Sequence, residues 1–361
     1  MAGFNLVNLP PAVDLETREI LKKAAQAHRY LAELKGISQT IPNQNILINT
    51  LSLQEAKDSS AVENIITTED DLFKEGLFPE ISVNPAAKEV KNYVRALRKG
   101  YNLVQKHQNL SNNLILEIQS ELVKNHAGFR KLPGTELKNG QTGETVYVPP
   151  QNPEDILRLM ANLEQYINVD DLSPIDPLIK MAVIHFQFES IHPFYDGNGR
   201  TGRILNIMYL VQMKLLEIPV LYLSRYIIRN KNKYYSLLQA VREKGSWVEW
   251  VLFMLNGVEQ TARQTIYVVQ KIRDLMMEYK HKIRERHHFY SQDLLNNLFF
   301  HPYTKIDFLK RDLGISRITA TKYLNELVAG KFLSKKKLGK SIYYINSKLI
   351  RLFSQIPDVS S

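Results

Sequence analysis

Apolar residues recur at helical spacing through most of this chain. In 14–35, DLETREILKKAAQAHRYLAELK, they return every three or four positions among good helix formers, and Gly36 ends the run. The stretch IPNQNILINTLSLQEAKDSSAVENI predicts one or two further helices, with more around 86–106, 111–125, 153–167 and 176–191. Another is expected from about 200 to 215, and SWVEWVLFMLNGVEQTARQTIYVVQKIRDLMMEYKHKIRER predicts a long helical region. The pattern changes between Gly128 and Pro150. There GFRKLPGTELKNGQTGETVYVPP mixes glycines and turn formers with short extended pieces, which predicts a hairpin-like flap. The end of the chain differs again. KIDFLKRDLGISRITATKYLNELVAGKFL reads as helix, turn at Gly314, helix, and FLSKKKLGKSIYYIN as strand, turn, strand. Helix-turn-helix followed by a β-hairpin is the pattern of a winged helix. The expected fold class is mainly α: a helical core with a small β-hairpin flap, plus a C-terminal winged-helix domain.

Charge sharpens this division. The chain of 361 residues carries a formal net charge of +10. Residues 281–361 hold 15 Lys/Arg and 6 Asp/Glu, a net of +9, and the other 280 residues are nearly neutral at +1. A near-neutral body therefore carries a basic module. With 44% apolar residues the chain can build real cores, and with no cysteine it can form neither a disulfide nor a thiolate metal site. The first residues, MAGFNLVNLPPAVDLETRE, lack a basic segment followed by an apolar one, so no signal peptide is read. The most apolar stretch, 204–223, contains Asn206, Lys214 and Glu217 and is too polar for a membrane span. No membrane partner and a cytoplasmic setting are expected.

The chemistry concentrates in HPFYDGNGRTGR, 192–203. Pro193 should stop the preceding helix near His192, and Phe194 should anchor the turn in the core. Gly197 and Gly199 permit backbone angles in which successive N–H groups converge on an anion. A helix beginning near Arg200 adds its N-terminal dipole at the same point. Arg200 and Arg203 are three apart, on one face of the first turn. Asp196 is a hard oxygen ligand suited to Mg²⁺ shared with phosphates, and His192 can serve as a general base near neutral pH. A lone histidine after a helix is more often structural, and a lone Gly-x-Gly is weak. The whole set in twelve residues points to a nucleotide polyphosphate beside a base.

This stretch resembles the signature of the Fic (filamentation induced by cAMP) family, H-x-F-x-[DE]-G-N-G-R-x-x-R. It matches at His192, Phe194, Asp196, Gly197, Asn198, Gly199, Arg200 and Arg203, and HFQFESI, LYLSRYI and YYSLL around it are also similar to that family. The resemblance, over about 1–260, implies an all-α Fic fold and transfer of AMP from ATP to a Ser, Thr or Tyr hydroxyl of a target protein. It implies that His192 deprotonates the target and that Asp196 positions Mg²⁺. Gly197, Asn198 and Gly199 would bind the α- and β-phosphates, and Arg200 and Arg203 the β- and γ-phosphates. Thr201 and Gly202 complete the nucleotide-binding run, and Tyr234 and Tyr235 would wall the adenine. The flap would align the target backbone as an added strand. SSAVEN, Ser59 to Asn64, resembles the family's inhibitory sequence, [ST]-x-x-x-E-[GN]. By that likeness Ser59 and Glu63, at i and i+4, would set Glu63 on Arg203, and Asn64 completes the motif.

Domains are accordingly expected at 1–110, a helical region carrying the inhibitory motif, at 111–280, a catalytic core, and at 281–361, the basic module. The partners read are ATP, a hydroxyl-bearing target protein, the chain itself as a target or as a homodimer, and DNA or protein through 281–361. Lys331, Lys335, Lys336, Lys337 and Lys340 cluster on the expected wing, and Arg317, Thr319, Thr321 and Lys322 lie on the expected recognition helix. Two other readings stay open. One is Fic-type transfer of a different phosphate-containing group, or removal of AMP. The other is a nucleotide-sensing DNA-binding regulator, against which the intact His192 counts.

Overall fold

The computed structural model of the chain describes residues 6–68, 84–138, 140, 142–338 and 341–354. Lys340 of the expected wing lies outside the described residues. The fold is mainly helical. The described helices are α1 (Arg18–Ser38), α2 (Asn45–Val62), α3 (Pro85–His107), α4 (Asn112–Val123), α5 (Pro153–Asn168), α6 (Pro177–Ile191), α7 (Asn198–Gln212), α8 (Leu223–Arg229), α9 (Lys231–Lys244), α10 (Trp247–Arg286), α11 (Gln292–Phe300), α12 (Ile306–Leu313), α13 (Arg317–Ala329) and α14 (Ser347–Ser354). Strands β1 (Leu137–Lys138) and β2 (Thr145–Tyr147) form an antiparallel pair. Strands β3 (Tyr303–Thr304), β4 (Ser334–Leu338) and β5 (Ser341–Ile345) form an antiparallel sheet in the order β3-β5-β4. The chain divides into two compact units, 1–35 with 52–262, and 36–51 with 263–361.

Local chemistry explains where the helices begin. Asn84, Asn152 and Asp176 each precede a proline, and their side-chain oxygens accept the N–H of Ala86, Glu154 and Leu178 at 3.0, 3.0 and 2.8 Å. The proline occupies the first helical position, where an N–H would have no partner. These three Asx-Pro caps start α3, α5 and α6.

The first unit is organised around α6 and α7. Every residue of α6 from Leu178 to Ile191 is buried, as is α7 from Arg200 to Val211. The α6 sequence PLIKMAVIHFQFESI has no broad polar face, so it is stable only when covered on all sides. Several polar groups around it are paired. Trp250 Nε1 donates to Ala182 O at 2.9 Å. The Asn206 amide lies 3.1 Å from His185 Nδ1, and the Tyr234 hydroxyl lies 2.9 Å from His185 Nε2. Burial, then the Arg203 charge, lowers the His185 pKa to about 3, so this imidazole is a neutral core group. At Gly100 of α3 a Cβ would stand 2.8 Å from Ile118 Cδ1 and 3.2 Å from Met208 Sδ, so α3 approaches α4 and α7 only because no side chain intervenes.

In the second unit α11, β3, α12, α13, β4 and β5 follow in that order. Leu294, Leu298, Phe299, Leu309, Leu324 and Leu327 form its core. Gly314, at φ +65°, ends α12, and Ser316 caps α13 by accepting the Thr319 N–H at 3.1 Å. Tyr279 closes one side of this core, its hydroxyl donating to Phe332 O at 2.8 Å.

Candidate active site

His192 is the residue on which α6 ends. Its N–H still donates to Phe188 O at 3.0 Å, but its backbone has turned left-handed, φ 49° and ψ 59°. Pro193 forbids another helical turn. A non-glycine residue in this conformation needs outside support. Arg130 supplies it. Its Nε donates to His192 O at 2.9 Å, its Nη2 to Ile191 O at 3.4 Å and to Pro150 O, and its own N–H to Pro193 O at 2.8 Å. A buried guanidinium at the carboxyl end of a helix also opposes the negative end of the helix dipole.

The turn after His192 is locked from within. Phe194 is buried, its ring 5.3 Å from that of Phe129 and 6.3 Å from that of Phe188. Asn198 clamps it, accepting the Phe194 N–H and donating to Phe194 O, both at 2.8 Å. Gly197 adopts φ +80°, and a Cβ there would also press to 2.9 Å from Val123 Cγ1. α7 then starts at Asn198, and the 196–200 backbone forms its amino end. Asp196 is exposed, and its Oδ1 accepts the Gly197 N–H at 2.6 Å.

Burial, and next the cation of Arg130, lowers the His192 pKa to about 4. The imidazole is therefore neutral at physiological pH. Its Nδ1 is buried with no hydrogen-bond partner among the described residues. A neutral ring with an uncommitted nitrogen is the state a general base requires.

The two arginines of the turn have different partners. Arg200 pairs with Glu89 of α3, and its Nη2 lies 3.5 Å from Asp196 Oδ1. Arg203 is buried and meets the end of α2. Its Nε donates to Ser59 Oγ at 2.8 Å, and its Nη2 donates to Ser59 O and Glu63 Oε1, each at 2.9 Å. Burial opposes both charges. Yet Arg203, followed by Arg200 and His192, holds the Glu63 carboxyl below its ordinary range, and Glu63 in turn raises Arg203. A Cβ built on Gly199 would collide with Glu63 Oε1, so the carboxylate stands at the amino end of α7. An anion there is where the helix dipole favours one.

Ser59 and Glu63 do not share one helix. α2 ends at Val62, and Glu63 follows in the closing turn. Its N–H donates to Ser60 O, and that of Asn64 to Ala61 O, each at 3.0 Å. Asn64 takes φ 62°, the left-handed position that asparagine tolerates at a helix end, and its Oδ1 accepts Lys231 Nζ at 2.8 Å. Tyr234 is buried against Trp250 and His185, whereas Tyr235 is 44% exposed and meets Tyr234 edge-on at 5.1 Å. Thr201 and Gly202 are inside α7 and buried.

Sequence reasoning did not single out Arg130, Glu189, Tyr147 or Arg242. Glu189 lies one turn before His192, buried, with Oε1 unpartnered among the described residues. Burial raises its pKa to about 7, against Arg203. A Cβ at Gly202 would collide with that oxygen. Tyr147 of β2 donates to Ser190 O at 2.8 Å, and the Arg242 guanidinium lies 3.9 Å over its ring, which ties the flap to α6. Glu189 was visible within HFQFESI, but the other three depend on contacts far apart in sequence.

Comparison with known proteins identifies the fold. A Fic family protein from Desulfovibrio desulfuricans G20 superposes with a TM-score of 0.61 at 18% identity, over 93% of this chain and 98% of that one. Fic-1 from C. elegans gives 0.53 at 19% identity, over 70% and 73% of the two chains. The architecture is thus that of Fic proteins. Residues 21–102 match the Fic/DOC family N-terminal domain, 109–210 the Fic/DOC family itself, and 275–349 the protein adenylyltransferase SoFic-like C-terminal domain. The chain thus carries Fic/DOC family N-terminal and Fic domains followed by a SoFic-like C-terminal domain. It is 33% identical over 130 residues to protein adenylyltransferase Fic of Drosophila yakuba, and 32% identical to that of Drosophila melanogaster. These alignments take in 36% of this chain and span about a quarter, 25%, of each curated relative.

Proposed function

We propose that this chain is a protein adenylyltransferase that moves AMP from ATP to a Ser, Thr or Tyr hydroxyl of a target protein, restrained in cis by Glu63. The observation that carries the reading is a neutral imidazole, His192, at one end of an anion-binding turn whose arginine, Arg203, is held by a carboxylate. His192 takes the proton of the target hydroxyl. Its oxygen attacks the α-phosphorus, the bond to the bridging oxygen of the β-phosphate breaks, and pyrophosphate leaves. The Gly197 to Arg203 turn and the α7 dipole bind the phosphates. In this reading Tyr235, with its exposed ring, lies against the adenine and Tyr234 backs it. Glu63 takes from Arg203 the place of the γ-phosphate and so displaces the reacting phosphorus.

The residues fit Mg²⁺. Asp196 offers an exposed carboxylate with Oδ1 on Gly197 N–H, and no group of three or more His, Asp or Glu among the described residues forms an all-protein cage. A single carboxylate is the usual protein share of a Mg²⁺ that phosphates and water otherwise hold. Asp196 would hold it, and when bound it neutralises phosphate charge.

No helix among the described residues is long and apolar enough to cross a membrane. We read 292–354 as a winged helix, from the order of its elements. The test is incubation of the parent, Glu63→Gly and His192→Ala with α-labelled ATP and Mg²⁺, alone and with lysate. Label on protein with Glu63→Gly and none with His192→Ala is expected, and self-modification is read in the lysate-free arm. ATP binding without label transfer by any form refutes the reading. Loss of label from a pre-modified target would replace it with AMP removal.

A further inference from the structure

The transfer chemistry leaves the basic C-terminal module unused, and its surface has a chemistry of its own. α13 buries Ala320, Leu324 and Leu327. The exposed positions along it are Arg317, Ile318, Lys322, Asn325 and Ala329. None is acidic. Glu326, between them, is half-buried and drawn to His287 Nδ1 at 3.2 Å. Arg317 has the Asp307 carboxylate 3.7 Å away, with both side chains mostly in solvent. β4 adds the exposed Lys335, Lys336 and Lys337. Lys335 Nζ donates to Asn325 Oδ1 at 3.0 Å and lies 5.6 Å over the Tyr344 ring. The strand's first lysine thus rests on the helix, and Lys337, two residues on, lies on the same side of the strand, so the two elements share one basic face. In the first turn of α13, within that face, Ile318 is 84% exposed.

We propose that this face binds duplex DNA, with α13 in the major groove and the β4–β5 hairpin along the backbone. Three observations lead there. First, the net charge of +9 on 281–361 matches a polyanion. Second, Arg317 and Lys322 project from the first half of a helix, the part that reaches base edges when a recognition helix enters the groove. Third, Ile318 offers an uncovered apolar side chain beside those cations. In the major groove the apolar group is the C5 methyl of thymine. RNA lacks that methyl, and its A-form major groove is too deep and narrow for side chains to read. A protein partner would be expected to cover a broader apolar area than one isoleucine among cations. In this assignment Lys335 and Lys337 neutralise phosphates, Arg317 and Lys322 contact bases or phosphates, and Ile318 meets thymine.

The proposal is independent of AMP transfer, and its readout is binding. The full chain is titrated by fluorescence anisotropy into a labelled mixed-sequence DNA duplex of about 30 base pairs over a range of salt. The same sequence as duplex RNA, and DNA with deoxyuridine in place of thymidine, serve as comparisons. Expected is DNA binding that weakens with salt, with a log–log slope of about −3 to −5 for several phosphate contacts. Changing Lys335 and Lys337 together to Ala should flatten the slope by about 2, near 0.9 per lost contact. Arg317→Ala with Lys322→Ala should weaken binding at least about tenfold at moderate salt. These are exposed positions, and circular dichroism together with an unchanged thermal melting midpoint will show that the variants are folded. On a duplex selected for tightest binding, deoxyuridine should weaken the parent severalfold, and Ile318→Ala should remove that difference. Absence of salt-sensitive binding, equal binding by the α13 variant, or equal affinity for RNA overturns the proposal. So does indifference to the thymine methyl on the selected duplex. Retention of a lysate protein through Ile318 with no DNA binding would assign the face to a protein instead.

Discussion

Glu63→Gly should raise label transfer by about 5- to 30-fold, and the contacts of Arg203 set the figure. The Glu63 carboxylate accepts Arg203 Nη2 at 2.9 Å. A charge-assisted bond of this kind is worth about 1.5–3 kcal/mol where water is excluded. The Glu63 side chain is 36% exposed, so solvent screens part of it, and about 1–2 kcal/mol is the usable range. At about 1.4 kcal/mol per factor of ten, removal frees Arg203 for phosphate about 5- to 30-fold more often. A further gain, to about 10²-fold, is expected if docked Glu63 also shifts the reacting phosphate by about 1 Å. Glycine carries little helix penalty here, because α2 ends at Val62 and position 63 lies in the closing turn.

Glu63→Gln separates charge from shape. Its amide oxygen still accepts Arg203 Nη2, but as a neutral partner the bond is worth about half as much, so activation should be smaller than with glycine. Adding Arg203→Ala to Glu63→Gly should abolish the gain, because the freed guanidinium is the proposed benefit. Transfer to self and to lysate is compared at equal ATP and Mg²⁺, with ATP affinity measured by calorimetry. Equal transfer by the parent and both Glu63 variants, at equal ATP affinity, refutes competition for Arg203. Retained activation in the double variant refutes the arginine's role.

Three further outcomes follow from the same site. His192→Ala should keep ATP binding by calorimetry and lose transfer about 10²–10⁴-fold, because in the proposed reading the turn backbone and arginines hold the phosphates while His192 only moves a proton. Arg130→Met should cost at least about 3 kcal/mol in chemical denaturation by leaving buried carbonyls unpaired, and should move the acid limb of the transfer profile upward. That second effect follows because the Arg130 cation, after burial, holds His192 down at about 4. Glu189→Gln should stabilise the protein more at pH 8 than at pH 5. The Glu189 pKa is raised to about 7 by burial, so its contribution is intact below about 4.5 and is lost as pH rises through 7. That loss amounts to at most about 3 kcal/mol, and urea titrations at the two pH values will show it.

What could be read in advance follows from the range of each interaction. The Asx-Pro pairs at 84, 152 and 176 mark helix starts because a cap and its proline act within three residues. The 192–203 turn is legible for the same reason: His192, Gly197, Asn198 and Arg203 lie within twelve residues, and the Asn198 clamp on Phe194 spans four. The meeting of Glu63 with Arg203, 140 positions apart, has no local signal and was anticipated only through resemblance. The end of α2 at Val62 was not, because helical spacing of Ser59 and Glu63 places them on one face whether or not the last turn is helical. Arg130 illustrates the limit most plainly. Its partners are the carbonyls of Pro150, Ile191 and His192, and every residue has a carbonyl, so no partner pattern exists to be found. Only the left-handed backbone at His192 calls for such support, and that conformation is itself a product of the folded turn. The proposed base lies in a motif legible in the sequence, whereas Arg130, which supports its backbone and with burial lowers its pKa, could be found only in three dimensions.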